Sequence, residues 1–367
     1  MLKALISGLL SVAVSISAIS IGHAEEKPQL NVYNWSHYIA ENTVSDFEKS
    51  TGINVTYSLY DSNEMLEGKL LAGRSGFDVV VPSSYFVPNQ IKAGVYEELD
   101  KSRIPNWQNL DPILMEKLEA FDPGNRYTIP YMWGTSGIGY NVEKVKAVLG
   151  DDAPLDSWDL ILDPENAEKL SSCGIAILDD PMDVLASIMV YQGKDPNSKN
   201  PKDWQAAGDH LAKIVPHIRY FSSSQFVDGL ASGEICAAIA YSGGTLQASE
   251  LGKKDGIDIR YYIPKEGATV WYDVLAMPKD AMNKESAYQF LNYILEPSVT
   301  ADISNYVAYA NANRKATPLV DEVMRNNDGI YPSEARLNSL FVVKSPDKKI
   351  VRTVTRAWNR AKTASKS

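Results

Sequence analysis

Apolar and polar residues alternate through LNVYNWS at positions 30–36, the period of a half-buried strand. A helical spacing follows through Val44 and Phe47 to Thr51, and Gly52 reads as its stop. The run INVTYSLY returns to a strand pattern. Residues 63–72 predict a second helix, with Met65, Leu66, Leu70 and Leu71 turned inward. FDVVVPSS is almost unbroken in its apolar character, as in a strand covered on both faces. Strand, helix, strand, helix, strand predicts an α/β fold built on a parallel sheet with right-handed crossovers. Ligands of such sheets lie beyond the carboxyl ends of the strands, where Trp35 and Ser83 to Tyr85 fall.

The pattern loosens over residues 131–141 (YMWGTSGIGYN), a glycine-rich stretch that we read as a first crossover between two domains. CGIAILDD and EICAAIAYSGG then predict strands of a second α/β unit. IRYYIPKEGATVWYDVLAMP adds further strands and a return to the first. A helix over 284–295 is closed by Glu296-Pro297, and a mixed tail with turns at Gly329 and Pro332 ends in a basic helix. No internal repeat is present.

The N-terminal residues MLKALISGLLSVAVSISAISIGHA join a basic residue, an apolar run and small residues at Gly22 and Ala24. This predicts a secretory signal over 1–24 that is cleaved on export. The serines within Ser11 to Ser20 argue against a membrane anchor, and no cysteine near the junction offers a lipid attachment. Export leaves enough chain for two ordinary domains. A net charge of −10 suits neither nucleic acid nor an anionic membrane surface, and is compatible with a cationic ligand. Cys173 and Cys236 are the only cysteines. In an oxidising compartment they form one disulfide, or else remain two buried thiols.

Aromatics and isolated acids recur together at predicted strand ends: Trp35, Tyr85, Asp180 with Asp183, Tyr241, and Trp271 with Asp273. Ring faces that cover methylenes and attract charge, with carboxylates to accept ammonium protons, suit a flexible organic cation. Each has a plainer reading. Trp35 could be core, Asp180 a solvated helix cap, and Asp273 the partner of an arginine such as Arg260. Trp271 and Asp273 lie two residues apart on one strand face, which favours a shared ligand. Ala240 to Gly244 (AYSGG) has the look of a nucleophile elbow at Ser242. Yet His23, His37, His210 and His217 all precede that serine, against the chain order such hydrolases require. His210 and His217, set on one expected helix without a neighbouring cysteine, do not make a zinc site. The acids lack calcium-loop spacing, and no phosphate-binding or dinucleotide fingerprint is present. No catalytic residue, metal or cofactor is expected.

Longer segments carry a resemblance: YNWSHYIAENTVSDFEKSTGINV, YDSNEMLEGKLLAG, IPYMWGTSGIGYN, SWDLILDPEN, IPKEGATVWYDVLAMP and YANANRKATPLV. With FDVVVPSS they are similar to bacterial periplasmic polyamine-binding proteins, the putrescine and spermidine receptors of ABC importers. The resemblance implies a type II periplasmic binding protein fold: two lobes, each a mixed sheet flanked by helices, with the ligand cleft between them. We expect lobe 1 over 25–132 and 259–308, and lobe 2 over 133–258 and 309–367. It also implies a periplasmic monomer that hands a small cationic amine to permease subunits in the inner membrane. Aromatic ligand contacts would fall on Trp35, Tyr38, Tyr241, Trp271 and Tyr309, polar ones on Ser36 and Ser83, and the main amine contact on Asp273. Cys173 and Cys236 match a bridged pair.

The chain also departs from that pattern. His37 stands where such receptors carry an acid, Gly244 where putrescine receptors carry an aspartate, and Tyr241 where tryptophan is common. Tyr85, Asp180 and Asp183 resemble the spermidine arrangement instead. The expected ligand is a polyamine, spermidine or putrescine-like. The alternatives are an amine of lower charge, such as an acylated polyamine or 4-aminobutyrate, and a role as a ligand-loaded sensor.

Overall fold

The computed structural model describes residues 27–337 and 339–364, so the expected signal segment lies outside the described residues. The strands are β1 (Gln29–Trp35), β2 (Asn54–Tyr60), β3 (Val79–Val80), β4 (Thr128–Asn141), β5 (Ile175–Ile177) and β6 (Tyr220–Phe221). They continue as β7 (Ala237–Tyr241), β8 (Ile259–Tyr262), β9 (Ala268–Ala276), β10 (Ala310–Asn311) and β11 (Leu340–Phe341). They join in the order β2-β1-β3-β9-β4-β7-β5-β6, with β8 and β10 against β4 and β11 against β9.

Pairing is parallel at both ends of this path and antiparallel in the middle. β1 lies parallel to β2 and β3, and β5 parallel to β6 and β7. Between these two units run β4 and β9, antiparallel to each other over Thr128–Ser136. The remainder of β4 pairs with β7 and β8. Two α/β lobes thus share a pair of long strands, and the fold is that of a type II periplasmic binding protein. The glycine-rich crossover is continuous strand. Its glycines serve close packing: a Cβ at Gly134 would lie 2.7 Å from the Trp271 ring.

Each lobe has its own core. Leu30, Phe47, Ile129 and Phe290 belong to one; Trp158, Leu185, Trp204 and Ile239 belong to the other. Strand β9 feeds both, because alternate side chains point to opposite faces: Trp271 packs with the first core, Val270 and Tyr272 with the second. Cys173 and Cys236, just before the adjacent parallel strands β5 and β7, are bonded to each other with Cα atoms 5.5 Å apart.

Three local expectations are corrected. The helix Asn63–Ala72 forms as expected, but Met65 and Leu71 are 53% and 57% exposed, and only Leu66 and Leu70 of the four are buried. Only the i, i+4 pair Leu66 and Leu70 meets the sheet, in a cluster with Tyr33, Tyr60 and Val80. Pro297 does more than end a helix. After Lys284–Ile294 stops, it occupies the first turn of Pro297–Val307, where its missing N–H costs nothing. His217 lies in a short 3₁₀ turn beyond the helix that carries His210. Among the described residues no cluster of His, Cys, Asp and Glu could hold a metal ion, and no helix is long and apolar enough to cross a membrane.

Candidate functional site

The carboxyl ends of β1 and β3 in the first lobe face two helix N-termini of the second lobe, those of Pro181–Tyr191 and Ser242–Gly252. Between them is a cavity of about 690 Å³, its mouth included. Its wall takes in every residue expected from the sequence to contact a ligand. Trp35 ends β1, Ser36, His37 and Tyr38 follow it, and Ser83 and Tyr85 follow β3. Asp180, Asp183, Tyr241 and Gly244 come from the second lobe, Trp271 and Asp273 from β9, and Tyr309 from the loop before β10.

Asp273 sits in mid-strand, 5% exposed. Opposite it, β4 makes a bulge between Pro130 and Met132, an irregularity of the kind that re-aims a side chain. The Ser83 hydroxyl donates to Asp273 Oδ1 at 2.6 Å, and Ser83 is itself fixed by Asn63, whose amide donates to Ser83 Oγ and whose carbonyl accepts from Ser83 N. No arginine neutralises Asp273: Arg260 is exposed and paired with Asp258. Burial therefore pushes Asp273 up to about 7, against the opposing pull of Ser83 and of the nearby Tyr38 hydroxyl, with Asp180 adding repulsion. Tyr38 Oη itself has no hydrogen-bond partner.

Asp180 is the helix cap of the plainer reading and also lies on the cavity wall. It caps the helix Pro181–Tyr191, accepting from Met182 N and Asp183 N, and it is buried at the cavity rather than solvated. Its second oxygen accepts from Tyr85 Oη at 3.0 Å, a hydrogen bond across the cleft. Asp183, one turn on, accepts from Ser136, while its Oδ1 is buried without a partner. Burial first, and then the field of Asp180, pushes Asp183 up to about 7. Thr269 lies close enough to offset part of this, although its Oγ1 also lacks a partner. Among the described residues no lysine or arginine lines the cavity.

Rings enclose the space between these acids. Trp35 is held by its Nε1, which donates to Val81 O at 2.9 Å, and packs against Tyr60. Trp271 meets Tyr241 and Tyr309 edge to face, at 5.5 and 5.2 Å between centroids. Tyr309 donates no fixed charge; its hydroxyl accepts from Gly244 N at 3.1 Å. His37, exposed with φ of 55°, stands at the mouth, where Gln247 reaches its carbonyl and that of Val307.

Sequence reading missed Ser223, Ser224, Phe226, Val227, Gln247, Thr269 and Val343 on the same wall. Thr269 was within reach, since it continues the alternation of Trp271 and Asp273. Gln247 lies one helical turn beyond Gly243 and Gly244. The residues around Phe226 come from a loop and a short helix with no pattern that points to a cleft. Ser242 does occupy a strand-to-helix turn, but it is buried off the cavity wall and its hydroxyl accepts from Thr135 N.

A stability prediction follows from the two acids near 7. Their folded pKa lies above the unfolded value of about 3.9, so protonation favours the ligand-free fold. Their contribution is complete below about pH 4 and lost as pH rises to about 7. Melting of the empty protein at pH 8 and pH 5 checks this; the Asp183→Asn, Asp273→Asn double variant is expected to melt higher at pH 8 and to lose that part of the pH dependence.

Comparison with known proteins points the same way as the geometry. The family described as bacterial extracellular solute-binding protein matches residues 42–328. The putrescine-binding periplasmic protein PotF of Escherichia coli is 54% identical over 364 residues, covering 98% of this chain and 98% of its own. The spermidine/putrescine-binding periplasmic protein of the same organism is 34% identical, covering 88% and 89%. Among solved structures, the spermidine/putrescine ABC transporter substrate-binding protein PotD of Streptococcus pneumoniae superposes with a TM-score of 0.73 at 28% identity, over 92% of this chain and 99% of that one.

Proposed function

Since the chain belongs to the bacterial extracellular solute-binding proteins, we propose that it is a periplasmic receptor that encloses a polyamine between its lobes and delivers it to the permease of an ABC importer. The observation that carries this reading is the set of three buried acids, Asp180, Asp183 and Asp273, without a cationic partner in an aromatic cavity. Leaving such acids uncompensated is costly, and two or three ammonium groups on an apolar chain would compensate them. Each charge-assisted hydrogen bond to an acid contributes about 1.5–3 kcal/mol. The rings would cover the methylenes between the charges. The names of the relatives favour a polyamine over an amine of lower charge. We also propose that residues 1–24 are removed on export and that the cavity binds without turnover.

Closure brings Tyr85 of one lobe to Asp180 of the other. The hinge in this reading is the pair β4 and β9, the strands common to both lobes. We place β8 with the second lobe, because it pairs with the far end of β4. We place residues 310–320 with the first, because Ala312 O accepts from Asp111 N and Arg314 N donates to Asn109 O.

A thermal-shift screen of ligand-free protein tests the proposal. Putrescine, cadaverine and spermidine are expected to raise the melting temperature by several degrees when present at about a thousand times Kd, a stabilisation of about 4 kcal/mol. 4-Aminobutyrate is expected to do less, and sugars or sulfate nothing. Stabilisation by an anion or sugar with none from amines would refute the reading. Proton linkage supplies a second check. Ammonium groups lower the pKa of Asp183 and Asp273, so amine binding at pH 6 releases protons and weakens as pH falls below about 7. Calorimetry in buffers of different ionisation enthalpy measures that release.

A further inference from the structure

The two helix N-termini at the cavity are built in opposite ways. At Pro181–Tyr191 the partial positive charge is met by Asp180 and Asp183. At Ser242–Gly252 no acid stands in the first turn, and the cavity there is bounded by Gly244, Phe226 and Val227. Such an end does not welcome an ammonium group.

Gly244 has no room for any side chain. A Cβ there would lie 2.5 Å from Phe226 Cζ, 3.0 Å from Cε2 of the same ring and 3.4 Å from Val227 Cγ2. The ring cannot swing aside easily: Phe226 is 1% exposed and packed edge-on to Tyr241 at 6.4 Å. On the far side, Gly244 N–H is tied to Tyr309 Oη. Phe226 is thus a core residue whose ring tip is also a cavity wall.

We propose that Phe226 is the end-stop of the amine cavity: its ring fills the side-chain space of Gly244 and fixes where the ligand's chain must terminate. This rests on the polyamine reading above. The ligand's charges are then held between Asp273 and the Asp180–Asp183 pair, and an added carboxylate at 244 cannot recruit an ammonium while the ring is in place. Gly244→Asp alone is a clash, not a restored contact.

The test is calorimetry of the full-length exported protein with α,ω-diamines from three to eight carbons, beside melting curves. Phe226→Leu keeps an apolar core residue and lacks the ring-tip atoms that face Gly244; Phe226→Ala is the larger change. Wild type is expected to show an optimum chain length. Phe226→Leu should move that optimum to longer chains, with at least about tenfold tighter binding of the diamine two methylenes beyond the wild-type optimum. Gly244→Ala should lower the melting temperature in wild type and much less in Phe226→Leu, because the shared space is then free. A folded Phe226→Leu variant with an unmoved optimum overturns the end-stop and leaves the polyamine reading standing, as does a Gly244→Ala cost that is equal in both backgrounds. A wild type that binds no diamine overturns both.

Discussion

Asp273→Asn is expected to weaken polyamine binding by about a hundredfold or more while leaving the fold intact or firmer. The isosteric amide can still accept from Ser83, so the local geometry held by Asn63 and Ser83 survives. What disappears is the negative charge held beside Ser83, and the other acids of the wall, Asp180 and Asp183, are engaged elsewhere, by Tyr85 and Ser136. Losing two charge-assisted hydrogen bonds of about 1.5–3 kcal/mol each predicts a loss of two to four powers of ten. In the empty protein the sign reverses. Asp273 is buried, unpaired by any cation and raised to about 7, so its charge works against folding at neutral pH. Calorimetric titration with spermidine, set beside a melting curve, reads both effects. Retained affinity would remove Asp273 from the binding role, and a large loss of stability would make it a structural residue instead.

The second large effect concerns the disulfide. Cys173 and Cys236 are 63 residues apart in the chain, and both stand at the entry to neighbouring parallel strands of the second lobe. Cross-linking a loop of that length restricts the unfolded chain by ~4 kcal/mol on the entropy account. The Cys173→Ser, Cys236→Ser variant, or reduction of wild type, is therefore expected to lower the melting temperature by roughly 5–15 °C for a protein of this size. Neither cysteine lines the cavity, so amine affinity at low temperature should stay within about threefold of wild type. An unchanged melting temperature would mean that the bridge adds little beyond the strand pairing around it.

Much of this architecture is legible in the chain because the two periodicities are clean where the sheet is deep. β1, β2, β3 and the helices between them carry the patterns that place Trp35, Ser83 and Tyr85 at the carboxyl ends of strands. Trp271 and Asp273 share a face because strand side chains alternate, and Thr269 completes the row. Met65 and Leu71 read as inward because hydrophobicity alone does not tell which side of a helix the sheet covers. Phe226 gave no signal at all. Its role arises from a contact with Gly244 between a short helix and the start of another, and no periodicity records such a contact. The glycine was visible from the sequence as a lost side chain; only the structure shows that another residue fills its place.

The most direct measurement is the structure of the protein with its amine bound. The account predicts one ligand nitrogen at hydrogen-bond distance from the Asp273 carboxylate, a second beside Asp180 and Asp183, and the methylenes between them against Trp35, Tyr241 and Trp271. An occupant without a protonated nitrogen, or an amine seated away from Asp273, would contradict it.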